Sequence, residues 1–131
     1  MPNLFDLKNR VAVVMGATSG IGRTLARGLA EHGATVVPTG RREDLLREIC
    51  AEIQSTGSRT ICHTADVGDR VSIDRFRDAV VSEFGHVDIL LNAAGVTFKQ
   101  SSATISEEQW SSLMDTDLTG VLRAASRFMN H

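Results

Sequence analysis

Val11-Ala-Val-Val-Met-Gly-Ala-Thr-Ser-Gly-Ile-Gly22 reads as a strand, a glycine-rich turn and the first turn of a helix. Val11 to Met15 is apolar without alternation, as a parallel strand covered on both faces requires. Gly16, Gly20 and Gly22 follow at the spacing G-x-x-x-G-x-G. Gly16 suits the backbone of a tight strand-to-helix turn. Gly20 and Gly22 carry no Cβ, so a ligand can approach the backbone and the helix can pack close to the strand. A helix starting near Gly20 points unpaired N–H groups and its positive dipole end at the turn, which makes a pocket for a pyrophosphate. The other reading of the same glycines is a tight turn without a ligand.

The surrounding chain fits one soluble domain. Its 131 residues are 42% hydrophobic with a net charge of −2, ordinary values for a globular protein. No basic excess points to nucleic acid. No apolar run approaches the length of a membrane span. Met1 to Arg10 carries Asp6, Lys8 and Arg10 and lacks the apolar core of a signal peptide. Cys50 and Cys62 have no CxxC spacing, which points to free thiols in a reducing cytoplasm.

Hydrophobic spacing then marks the elements. A helix is expected from about Gly20 to His32, with Ile21, Leu25, Leu29, Ala26 and Ala30 on its apolar face and Gly33 closing it. A second strand covers Thr35–Thr39, with Pro38 confined to an end or an unpaired position because it cannot donate to a ladder. A helix follows over about Glu43 to Ser55, with Leu45, Ile49 and Ile53 as its stripe. A third strand is expected over Thr60–Thr64. The next helix spans about Arg70 to Phe84, with Asp69 as N-cap, Ile73, Phe76, Val80 and Phe84 as its stripe, and Gly85 at its end. A fourth strand covers Val87–Asn92. Ser106 and Gln109 fit a capping box that opens a last helix running almost to the chain end. That helix has more apolar residues than one stripe needs: Trp110, Leu113, Met114, Leu118, Val121, Leu122, Ala125, Phe128 and Met129. The surplus predicts a partner subunit, a homo-oligomer through this helix, or packing against more of the same chain.

Alternating strands and helices call for an α/β fold with a doubly wound parallel sheet and right-handed crossovers. Four strands in the order 3-2-1-4 are expected, an incomplete sheet with its ligand crevice between strands one and four. At the end of strand two, a dinucleotide fold carries an acid that reads the ribose 2′-hydroxyl. Here the chain reads Thr39-Gly40-Arg41-Arg42. Arg41 can neutralise and hydrogen-bond a 2′-phosphate, which favours NADP(H) over NAD(H); the alternative is a solvated helix-start arginine, the reading given to Arg42.

The glycine spacing resembles the cofactor loop of the short-chain dehydrogenase/reductase family, Thr-Gly-x-x-x-Gly-x-Gly, with Met15 in place of the threonine. Gly16, Thr18, Ser19, Gly20, Ile21 and Gly22 then fall on cofactor-binding positions. Asp66-Val67 matches the family's adenine-binding pair, the carboxylate toward the amino group and the amide toward the ring; an Asx turn is the competing account of Asp66. Asn92-Ala93-Ala94-Gly95 resembles Asn-Asn-Ala-Gly, placing Asn92, Ala93 and Gly95 beside the cofactor. Asp115-Thr-Asp-Leu-Thr-Gly120 resembles the family's Asn-x-x-Gly segment, with Asp117 where an asparagine helps hold a water on the proton path. The resemblance implies an NAD(P)-dependent oxidoreductase that passes hydride between nicotinamide and a small carbonyl or alcohol substrate. It covers the cofactor-binding half of the family pattern as one domain, 1–131. The family's serine and Tyr-x-x-x-Lys follow the helix at which this sequence ends, and the sequence contains no tyrosine. Turnover by these residues alone is therefore not expected. A non-catalytic dinucleotide-binding or oligomerisation module is the alternative, and no metal-ligand spacing is present. The opening Leu4-Phe-Asp-Leu-Lys8 is similar to sugar-acid and polyol dehydrogenases and to acyl reductases, and does not select a substrate.

Overall fold

The computed structural model describes residues 4–94, 104 and 106–129. Three parallel strands form its sheet: β1 (Val11–Met15), β2 (Thr35–Thr39) and β3 (Ile89–Asn92), in the order β2-β1-β3. The helices are α1 (Gly20–Glu31), α2 (Glu43–Ser55), α3 (Arg70–Phe84), α4 (Glu107–Met114) and α5 (Gly120–Met129), the last two joined through a π turn over Asp115–Thr119. Val11 pairs with Thr35 on one side of β1, and Ala12 with Ile89 on the other.

The unalternating apolar run of β1 is explained by two cores. Val11, Val13 and Met15 face Ile73, Phe76 and Val80 of α3 and Ala124 and Phe128 of α5. Ala12 and Val14 face Ala26 and Ala30 of α1 and Leu46, Ile49 and Ile53 of α2. All five β1 residues are buried. Each large side chain buried this way contributes about 1.5–3 kcal/mol.

Helix boundaries follow the punctuation in the sequence. Gly33, Gly57 and Gly85 all sit at positive φ just past their helices, where a Cβ would be strained. Asp69 Oδ1 accepts from the N–H of Val71. Ser106 and Gln109 complete a reciprocal capping box.

Three expectations are corrected. The backbone at 60–64 joins no strand, so the four-strand order reduces to three described strands. The cause lies in Pro38. The N–H of Thr35 and the carbonyl of Thr39 both bond toward β1; alternation along a parallel strand therefore turns residue 38 to the outer edge, where proline offers no donor. The segment still runs beside β2 by other means. The Ser58 hydroxyl donates to Ala34 O (2.6 Å), the Thr39 hydroxyl to His63 O (2.8 Å), and Ala65 N–H to Gly40 O (3.1 Å). The second correction is the face of α1. Ala26 and Ala30 are buried as expected, but Ile21 and Leu25 are exposed, and Gly22 completes the buried stripe. The helix crosses the sheet so closely that only small residues fit beneath it. In α2 Ile49 and Ile53 are buried as expected, while Leu46 is buried in place of Leu45, which is only half-buried. The third is the last helix, which is not continuous: the π turn divides it.

Both cysteines are free. Burial, with a contribution from the neighbouring Cys62, pushes the Cys50 thiol up to about 12, so it is an inert core group. Among the described residues no helix is long and apolar enough to cross a membrane, and no cluster of side chains could hold a metal ion.

Candidate functional site

The C-terminal ends of the strands are tied together by backbone. Gly16 and Ala17 both donate to Thr39 O at 3.0 Å, and Ala93 donates to Met15 O at 2.9 Å. Glycine makes this closeness attainable. A Cβ on Gly16, which sits at φ +76°, would lie 2.4 Å from the backbone of Ala94. A Cβ on Gly22 would lie 2.1 Å from the carbonyl oxygen of Gly16. Gly20 differs: its φ is +58°, yet a Cβ there would meet nothing within 4 Å. Two glycines of the trio thus serve packing, and the third leaves open space at the start of α1.

That helix start is unusually bare. Ser19, the N-cap, makes no side-chain cap hydrogen bond, and the first turn contains no acidic residue. Its free N–H groups and positive dipole end are left available to an anion.

A cleft of about 230 Å³ lies over these strand ends. Gly16, Thr18 and Ser19 line it at the turn, Gly40, Arg41 and Arg42 beyond β2, Asp66 and Val67 on the far side, and Ala93 and Ala94 beyond β3. Of the residues singled out from sequence, Gly16, Thr18, Ser19, Arg41, Asp66, Val67 and Ala93 come together here. Gly20, Ile21, Gly22 and Asn92 stand close by in the chain but do not line the cleft, and Ile21 is 78% exposed. Asp117 lies exposed on the π turn, and its neighbour Thr116 reaches the cleft instead. Gly95 falls outside the described residues.

Several side chains around the cleft are held by their neighbours. Arg42 pairs with Asp44 at 3.2 Å, both exposed, in keeping with a helix-start role. Thr18 packs on Gly40, where a Cβ would lie 2.6 Å from its Cγ2. Asp66 does form an Asx turn: its Oδ1 accepts from the N–H of Gly68 at 2.8 Å, while its own N–H donates to Ser72 Oγ at 2.9 Å. The turn fixes the loop and still leaves Asp66 on the cleft wall.

Sequence reasoning missed Thr39, Ala65 and Thr116 among the lining residues, and missed Arg123 behind them. Arg123 donates to Val67 O (3.0 Å) and to Asp115 Oδ1 (2.7 Å). The hydrogen bond from Arg123 holds the Asp115 carboxyl below the usual range, and the same bond raises the guanidinium of Arg123. An Asp and an Arg eight residues apart are not an ordinary helical pair, so nothing in the spacing announced this contact.

The comparisons with known proteins agree with this geometry. The family model described as short chain dehydrogenase matches residues 10–131. An uncharacterized oxidoreductase of Staphylococcus epidermidis is 38% identical over 116 residues, 88% of this chain and 49% of its own. Gluconate 5-dehydrogenase of Gluconobacter oxydans is 33% identical, covering 99% of this chain and 51% of its own. The crystal structure of a variant of actinorhodin polyketide ketoreductase with NADPH superposes with a TM-score of 0.88 at 37% identity, over 92% of this chain and 46% of that one. The chain spans about half the length of the curated relatives it matches.

Proposed function

Since this chain belongs to the short-chain dehydrogenase family, we propose that it is the cofactor-binding half of an NAD(P)-dependent oxidoreductase acting on a small carbonyl or alcohol substrate. The observation that carries the reading is the cleft over the strand ends, with an uncapped helix N-terminus at one side and Arg41 at another. An anionic dinucleotide fits this donor set. The turn from Gly16 through Thr18, Ser19, Gly20 and Ile21 to Gly22 would hold the pyrophosphate by backbone N–H groups. Arg41 would face a 2′-phosphate, which favours NADP(H) over NAD(H). Asp66 would accept from the adenine amino group and Val67 would donate its N–H to the ring. Asn92, Ala93 and Gly95 would lie beside the nicotinamide ribose. A cleft of this volume suits the adenosine end, smaller than the about 300–1,000 Å³ of whole-ligand pockets.

When bound, the nicotinamide supplies or takes the hydride. The residues of this chain bind, orient and exclude water; Asp117 is the one assigned to the proton path, at its margin. With no tyrosine in the sequence, binding without turnover is the activity proposed for these residues alone. The exposed Trp110, Leu118 and Leu122 support self-association through the last helix. Two unbridged thiols support a reducing, cytoplasmic setting.

The test is a fluorescence titration with NADPH and NADH. Saturable NADPH binding, weakened about ten- to hundred-fold by Arg41→Ala with NADH little changed, is the expected result for loss of a charge-assisted bond worth about 1.5–3 kcal/mol. Failure of both dinucleotides to bind would refute the reading, and equal loss of both in the variant would refute the NADP(H) preference.

A further inference from the structure

The far wall of the cleft, residues 65–69, carries Asp66 and Val67. A fourth strand would have anchored this loop by a backbone ladder, but the segment before it joins no strand. On that side the backbone anchor is the bond from Ala65 N–H to Gly40 O. On the other side stands α5. A Cβ on Gly120 would lie 2.9 Å from Val67 Cγ2, so the helix backbone presses on the loop. One turn on, the Arg123 guanidinium reaches over it, one nitrogen on the Val67 carbonyl and one on Asp115 of the π turn. Asp115 Oδ2 in turn faces Gly68, 3.3 Å from where a Cβ would sit.

We infer that Arg123 is a positioning residue for the nucleotide: by bridging the Val67 carbonyl and the Asp115 carboxylate, it sets how Asp66 and the Val67 amide face the cleft, and so makes α5 a determinant of affinity for the adenosine end. A planar fork suits this task, since it holds two acceptors at fixed separation where a lysine would hold one. Charge works in the same direction. Arg123 interacts with Asp66 and Asp69 as well as Asp115, so without it three carboxylates would share one corner and repel. The helix does not depend on this contact for its seat. Arg127 pairs with Asp74 of α3 at 3.1 Å, and Phe128 meets Phe76 edge-on.

The inference rests on the dinucleotide reading, and its test separates the two. Arg123→Gln, Asp115→Asn and the double variant are titrated with ADP, the adenosine end common to NAD and NADP. Amide exchange is followed at Gly68 and, for comparison, at Val13 and Val37 of the sheet. Arg123→Gln should weaken ADP by about tenfold, the loss of roughly one charge-assisted bond. Asp115→Asn should weaken it less, and the double variant no more than Arg123→Gln, because the two act as one contact. Exchange should quicken at Gly68 and not in the sheet. Unchanged ADP affinity in Arg123→Gln would overturn the inference and leave the dinucleotide reading standing. Equal acceleration at Val13 and Val37, or failure of both single variants to fold, would make Arg123 a structural residue and overturn it as well. Absence of ADP, NADPH and NADH binding in the unaltered chain would remove the dinucleotide reading and the inference with it.

Discussion

Replacing each glycine of the first turn by alanine should separate packing from ligand space. In Gly22→Ala the new methyl carbon would start 2.1 Å from the carbonyl oxygen of Gly16. Contact needs more than 3 Å, and the obstacle is backbone, so α1 or the turn must move by over an ångström. Overpacking of this kind costs about 1–3 kcal/mol, and more where nothing can yield; we expect about 3 kcal/mol. In Gly16→Ala a methyl 2.4 Å from the Ala94 backbone is joined by the strain of φ +76°. Left-handed backbone adds about 1–2 kcal/mol for a residue with a Cβ, giving about 4 kcal/mol together. In Gly20→Ala the methyl meets nothing within 4 Å, and about 1 kcal/mol of backbone strain at φ +58° is the whole cost. For a chain of this length 1 kcal/mol moves Tm by roughly 3–5 °C. Thermal melts followed by circular dichroism should therefore show a small drop for Gly20→Ala and drops of about 10 °C or more for the other two. On the proposed dinucleotide reading, NADPH titration of the still-folded Gly20→Ala chain should show at least about a tenfold loss, since the methyl would enter the open space at the start of α1 that the proposal gives to the phosphates. A Gly22→Ala chain that melts like the parent, or a Gly20→Ala chain as damaged as it, would refute the division of labour drawn among the three glycines.

Other perturbations test the rest of the frame. Phe76→Ala removes a fully buried ring that meets Phe128 at 6.1 Å; urea unfolding should show a loss of about 3–5 kcal/mol. Asp69→Ala deletes the N-cap of α3 and should cost about 1 kcal/mol in the same assay. Asp88 accepts from the N–H of Val11 at 2.8 Å, and that bond, with His86 and Arg10 nearby, holds its carboxyl below the usual range. A carboxyl depressed by folding adds stability that is present above its unfolded value, near about 3.9, and is lost as pH falls through the folded one. Asp88→Asn should lower stability at neutral pH by about 1 kcal/mol and flatten the decline below about pH 4, as read from melts across pH.

Much of this molecule is legible because local chemistry and fold agree. The run Val11 to Met15 announces a two-sided strand, and Gly33, Gly57 and Gly85 end helices because their φ values exclude a Cβ. What was not legible depends on partners distant in the chain. Thr60–Thr64 has strand composition, but whether it pairs is decided by the missing donor of Pro38 on the neighbouring edge. Ile21 and Leu25 are apolar at helical spacing, yet the depth of contact between α1 and the sheet admits only the small members of the expected face, Ala26 and Ala30, with Gly22. Arg123 reaches a carbonyl 56 residues away, and no periodicity encodes that. The π turn, with Asp117 exposed on it, interrupts a stretch whose residues all tolerate an ordinary helix.

The register of β1 also orders the assembly of the sheet in time. Val11 meets Thr35 after a short excursion through α1, whereas Ala12 meets Ile89 only after a loop about three times as long. Closing the longer loop costs about 1 kcal/mol more in chain entropy. The β1–α1–β2 unit, which already contains the turn and half of one hydrophobic layer, is the cheaper nucleus. β3 then docks on a template whose Met15 carbonyl accepts from Ala93, so that side of the cleft mouth is expected to form after the β1–α1–β2 unit rather than with it.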